Sequence, residues 1–303
     1  MTHAELGFDL RSTRSRRGER IVKRILFACA IVSVATTAGI IYALFSDAIR
    51  FFGRTSLWDF FTGTVWSPQS GSFGVLELVW GILLITLGAM LVAGPLGIAT
   101  AIYLSEYAPR RVRNAIKPAL ELLAGIPTVV FGYFALNFIT PNVLRSIVPG
   151  CGIFNWGSAA LVVGLFILPL VASLSEDALR AVPRSLREGA MGLGATRLRV
   201  SMRVVLPAAL SGIGAAFILG LSRAVGETMA VTIAAGATPQ ITANPCSSVQ
   251  TMTAYIVQVA GGEASAGSIE YGSIFALGAT LFLMTLALNY FSMKLVRRFR
   301  EVY

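Results

Sequence analysis

Arg223 and Glu227 stand four residues apart in a long apolar run. A charge at the centre of a membrane span costs about 2.5–3.5 kcal/mol on insertion scales, so two in one span ask for a use. At this spacing both side chains project from one helix face and can pair. Arginine stays protonated, and its planar fork matches the oxygens of phosphate. Two readings are open. One is a structural ion pair that locks a helix bundle. The other is an anion station: Glu227 neutralises Arg223 when the site is empty, a passing oxyanion replaces it, and the carboxylate charge helps release. Ser222 and Thr228 flank the pair with hydroxyls that can serve the anion or ordinary packing.

Little else in the sequence can do covalent chemistry. His3 is the single histidine. The lysines are Lys23, Lys117 and Lys294, and none completes a Gly-x-x-x-x-Gly-Lys-[Ser/Thr] phosphate loop. No paired carboxylates, nucleophile elbow or metal-ligand spacing appears, so the expectation is no catalytic residue, no metal and no directly bound cofactor. Cys29 falls in an apolar run and reads as a packing residue. Cys151 and Cys246 fall in two loops on one side; a disulfide and two free thiols are both open.

The elements that must position these residues are membrane helices. The chain has 303 residues, 55% hydrophobic and only 13% charged. A soluble domain is about 25% charged, so soluble enzymes and disordered chains are excluded. Apolar runs long enough to span occur at 25–45, 76–104, 118–140, 157–175, 207–235 and 271–293. The expected fold is all-α, a polytopic six-helix bundle, between basic tails at 1–24 and 294–303. In the fifth run Gly212, Ala216, Gly220, Ala224, Thr228 and Thr232 form a stripe of small residues suited to close packing.

Charge sets the orientation. The two tails and the loops after the second and fourth runs hold 21 of the 25 Lys and Arg. The opposite loops hold only Arg50, Arg54 and Arg145. By the positive-inside rule both termini are cytoplasmic, and the net charge of +10 needs no nucleic acid partner. The first run is too long for a cleaved signal and reads as a retained anchor. Glu77 and Glu121 lie near span ends and read as anchors or structural partners. Trp58, Trp66, Trp80 and Trp156 read as an interfacial belt. The outer loop 46–75 is aromatic-rich and is a candidate contact for a substrate-delivery protein.

The loop at 176–206 is more than a topology signal. Pro183 suits a helix start and Gly194 a C′ position. Arginines cover one side, and Leu186, Ala190 and Leu193 are expected to form an apolar side. The pattern reads as short amphipathic helices offered to a cytoplasmic partner.

Glu188-Gly189-Ala190, then Gly194, then Val204, Leu206 and Pro207 resemble the EAA loop of bacterial ABC importer permeases. Gly189 replaces the central alanine and Val204 the isoleucine. Gly125–Gly132, Asp177–Pro183 and Ser222–Val231 are similar to phosphate permeases, the last more like the PstC-type subunit than its PstA-type partner. The resemblance covers roughly 70–293. It implies a type I ABC importer permease bundle in a bacterial inner membrane, with the EAA loop as a coupling helix seated on an ATPase. It also implies a second homologous permease chain, two ATP-binding subunits that carry ATP and Mg, and a periplasmic phosphate-binding protein. The alternatives are a permease for sulfate or molybdate, an ion-driven secondary transporter, and a membrane scaffold or sensor.

Overall fold

Four of the apolar runs form single long helices, and the third and fifth are bent helix pairs, which makes up to six membrane spans. The computed structural model describes residues 16–265 and 267–298. His3, Arg11, Arg14 and Arg300 of the basic tails lie outside them.

The straight helices are α1 (Arg16–Phe52), α3 (Leu76–Ile102), α7 (Trp156–Ala181) and α14 (Ile269–Arg298). Between α1 and α3 lies the short α2 (Leu57–Thr62). α3 and α7 form the centre of the bundle. They approach closely because small residues meet large ones: a Cβ on Gly164 would lie 2.9 Å from the Ala89 carbonyl oxygen. Ile85, Ala89, Val163, Ile167 and Val171 fill the seam. Pro95 and Pro169 sit inside these two helices, where neighbours can satisfy the freed backbone groups.

α1 packs on the outside of α14, antiparallel to it. Phe45 meets Phe282 edge to face, and Leu44 lies over Gly278. The basic ends of α1 and α14 therefore share one end of the bundle.

The third run differs from its expected bounds. α4 (Arg110–Ala124) is followed by α5 (Thr128–Phe134), a π-helical stretch at Ala135–Leu144 and α6 (Arg145–Ile147). The chain bends by 89° at residues 125–127. Ile126 precedes a proline and leaves the helical region readily. The crossing segment is thus 128–147, and residues 118–124 belong to an amphipathic helix that crosses its end.

The fifth run breaks twice. α8 (Arg184–Gly192), α9 (Arg197–Val200), a π-helical turn at Ser201–Val205 and α10 (Leu206–Ala208) lead to a 68° bend. Beyond it runs α11 (Leu210–Val225), then α12 (Met229–Ala234). The small-residue stripe packs on α7: a Cβ on Gly212 would meet Ala178, and one on Gly220 would meet Val171 and Ile167. The chain then returns through 236–251 to α13 (Met252–Gln258).

At the end away from α8, the 46–75 segment folds into a small aromatic core. β1 (Trp66–Ser67) pairs with β2 (Ser72–Phe73), and Phe51, Phe60, Trp66, Phe73 and Tyr255 pack edge to face. Trp66 is 3% exposed, so it is core rather than belt. Its backbone N–H donates to Glu77 Oε2 at 2.9 Å, which gives Glu77 the structural role expected of it.

Candidate functional site

The chemistry of the fifth path lies at the gap between α11 and α12. α11 ends at Val225, and Gly226 and Glu227 turn away through bonds to the Ser222 and Ala224 carbonyls. The buried Glu227 carboxylate accepts the Ala230 N–H at 3.1 Å and so caps the first turn of α12. The Glu227 carbonyl accepts the Thr253 hydroxyl at 2.9 Å, and Thr251 and Thr253 meet at 3.0 Å. Side chains of the returning segment thus satisfy backbone that the break leaves without helix partners.

Arg223 goes the other way. It occupies the last turn of α11, exposed, with its guanidinium 5.2 Å from the centre of the Phe166 ring on α7. Among the described residues no carboxylate lies within ion-pair distance of it. The expected Arg223–Glu227 pair on one helix face is therefore not formed. Helical spacing stacks residues i and i+4 only while the helix continues, and here it ends between them.

The flanking hydroxyls also serve the fold. Ser222 donates to Asn289 Oδ1 on α14 at 2.5 Å. Thr228 donates to the Gly226 carbonyl at 3.2 Å, inside the break. Of the four residues named from sequence, Arg223 alone leaves its charge uncommitted. Asn289 has only one signal in the sequence, a lone amide in an apolar span.

The second site is the loop at the basic end. Gly194 adopts φ +81°, the left-handed region that favours glycine. Its N–H bonds to the Met191 carbonyl at 2.9 Å, and the Ala195 N–H to the Ala190 carbonyl at 3.1 Å, a Schellman stop at the end of α8. The Thr196 hydroxyl then caps α9 through the Arg199 N–H. Leu186 and Ala190 pack inward against Val182, Val200 and Val205. Glu188 and Gly189 face out, and a Cβ on Gly189 would meet nothing within 4 Å, so glycine there leaves no void. Leu193 departs from expectation: it is 91% exposed, beside exposed Met191, Leu198 and Met202. The Schellman turn swings it off the packed side. Leu206 and Pro207 restart the helix leading into the span.

Two polar joints fasten this loop to the spans. Arg187 donates to Glu106 Oε1 at 3.0 Å, to the Leu179 carbonyl at 2.7 Å and to the Val182 carbonyl at 2.5 Å. It joins α8 to the end of α7 and to the turn after α3. Glu176, fully buried, sits among Lys117 at 2.7 Å, Arg180 at 3.5 Å and Arg113 at 3.6 Å. Lys117 also reaches Asp177 at 2.6 Å. Burial works to lower the Lys117 pKa, but the hydrogen bonds and charges of Asp177 and Glu176 outweigh it and hold the pKa above 10.5.

Cys151 and Cys246 are joined in a disulfide across 95 residues, with Cα atoms 4.6 Å apart. It ties the segment after α6 to the returning segment after α12. Cys29 is free and exposed on α1, so it does not pack inside the bundle.

Residues 93–301 match the family described as "Binding-protein-dependent transport system inner membrane component". The probable ABC transporter permease protein YqgH of Bacillus subtilis is 33% identical over 267 residues, covering 87% of this chain and 86% of that protein. The phosphate transport system permease protein PstC of Mesorhizobium japonicum is 33% identical over 279 residues, covering 85% and 84%. In fold, the chain is similar to one in the structure of a bacterial alginate ABC transporter in complex with alginate pentasaccharide-bound periplasmic protein. There the TM-score is 0.65 at 17% identity, covering 95% of this chain and 99% of that one.

Proposed function

The chain belongs to the binding-protein-dependent transport system inner membrane components, and on that premise we propose that it is the translocation subunit of an ATP-driven importer of inorganic phosphate. The observation that carries the cargo assignment is Arg223: a permanent cation at a break in an apolar span, with no carboxylate paired to it among the described residues. The similarity to PstC proteins supports the same anion.

The geometry suggests a division of labour. Arg223 offers a planar fork to the oxygens of a passing phosphate. The Phe166 face restrains the guanidinium at a gain of about 0.5–1 kcal/mol, weak enough for release. Glu227, held on α12, fixes the break that places Arg223 at a helix end. Sulfate or molybdate would meet the same cation, so competition distinguishes them.

Transport needs partners. A second homologous permease chain of the PstA type would complete the pathway. Two ATP-binding subunits would carry ATP and Mg, and a periplasmic phosphate-binding protein would deliver cargo. α8 would seat on an ATPase through Glu188, Gly189 and the exposed Leu193. This orientation places both termini and the arginine-rich loop in the cytoplasm, by the positive-inside rule.

The test is labelled-phosphate uptake in phosphate-starved cells lacking this chain, restored with the native chain or with Arg223→Gln at matched membrane levels. The expected result is restoration by the native chain alone, insensitive to excess sulfate and molybdate. Suppression by either competitor would reassign the cargo. Equal restoration by both chains would make Arg223 structural, and uptake without any ATPase partner would point to a secondary transporter.

A further inference from the structure

α1 and α14 are exposed along most of their length. At the end away from α8 their seam opens into a cavity of about 270 Å³ lined by Asp47, Arg50, Phe51, Arg54, Tyr271 and Phe275, among others. We propose that this cavity binds the phosphodiester headgroup of an anionic phospholipid.

The charge count fits a single phosphodiester. Arg50 pairs with Asp47 at 3.1 Å, while exposed Arg54 has no ion pair among the described residues, leaving one net positive charge. Arg54 is thus free to take a phosphate oxygen, and the outer guanidinium edge of the highly exposed Arg50 can take another. At the start of α14, Ser268 Oγ accepts the Tyr271 N–H, and Glu270 of the first turn does not line the cavity.

Depth and walls point to a lipid. The cations stand at the end of the apolar run of α1, where headgroups meet the hydrocarbon layer. Phe51 and Phe275 give the cavity apolar walls, and below them the outer surfaces of α1 and α14 present exposed Ile40, Leu283 and Leu286 for an acyl chain. Free phosphate would use the cations but not the walls. Zwitterionic headgroups would bring an ammonium group to a site that is already net positive.

The test needs no transport activity and so stands apart from the cargo assignment. The full chain would be purified, placed in nanodiscs of phosphatidylethanolamine and phosphatidylglycerol, and released for native mass spectrometry. The native chain should retain phosphatidylglycerol over phosphatidylethanolamine. Retention should fall roughly fivefold for each arginine removed, in Arg54→Gln and in the Arg50→Gln/Arg54→Gln double variant. Arg111→Gln, an exposed cation at the other end, should retain it as the native chain does. Equal retention by Arg54→Gln and the native chain would overturn the proposal, as would absence of headgroup preference. Displacement of the lipid by inorganic phosphate would also overturn it, in favour of a free-anion site.

Discussion

Two buried glutamates in this molecule are treated in opposite ways. Glu176, near the inner end of α7, is surrounded by Lys117, Arg113 and Arg180 from α4 and from its own helix. Glu227, in the broken fifth path, has an arginine four residues away and does not pair with it; a backbone N–H holds it instead. Paired charges make a joint that fixes two helices relative to each other. Separated charges leave a cation free for a partner that comes and goes. One residue type thus serves as a fastener in one region and as a backbone cap in the other.

The largest expected effect is on the fastener. Glu176→Ala takes the central carboxylate from three part-exposed cations and leaves a void where a fully buried side chain stood, a loss of about 2–4 kcal/mol. Thermal unfolding of the purified chain in detergent should show a clear fall in midpoint. An unchanged midpoint would mean that the cluster is not a joint.

The next effect is on function rather than stability. Arg223→Gln removes a charge-assisted contact worth about 1.5–3 kcal/mol, so uptake should fall roughly ten- to hundredfold with the midpoint nearly unmoved. A large loss of stability there would place Arg223 with Glu176 and dissolve the contrast. Gly194→Ala puts a Cβ into the left-handed region at about 1–2 kcal/mol, which hydrogen exchange over 184–195 should report as faster opening of α8. Native exchange rates would show that the Schellman turn does not hold the loop.

The smallest effect is the sharpest discriminator. Glu227→Gln keeps an oxygen for the Ala230 N–H, so uptake should stay within roughly twofold of native, in the range of a conservative change. A loss as deep as that of Arg223→Gln would return the carboxylate charge to the transport step.

Much of this was legible in the sequence. Apolar length and basic asymmetry gave six paths, and Pro183, Gly194 and the EAA spacing placed α8 and its stop. Direction was harder to read than length. Leu120, Leu122 and Leu123 continue the hydropathy of the third run, yet a bend of 89° puts them on a crossing helix. The Arg223–Glu227 spacing assumed a helix that Gly226 and Thr228 interrupt. Trp66 reads as a belt residue because its burial depends on Phe60, Phe73 and Tyr255, the last nearly 190 residues away. The Ser222–Asn289 contact and the threefold grip of Arg187 likewise depend on distant partners that a local pattern does not reveal.

That grip has a mechanical side. Arg187 ties α8 at once to the last carbonyls of α7 and to Glu106 beyond α3, and those two helices are the most closely interlocked pair in the bundle. A push on α8 would therefore reach α3 and α7 together through these bonds. α1 touches the bundle chiefly along α14, so it lies outside this linkage.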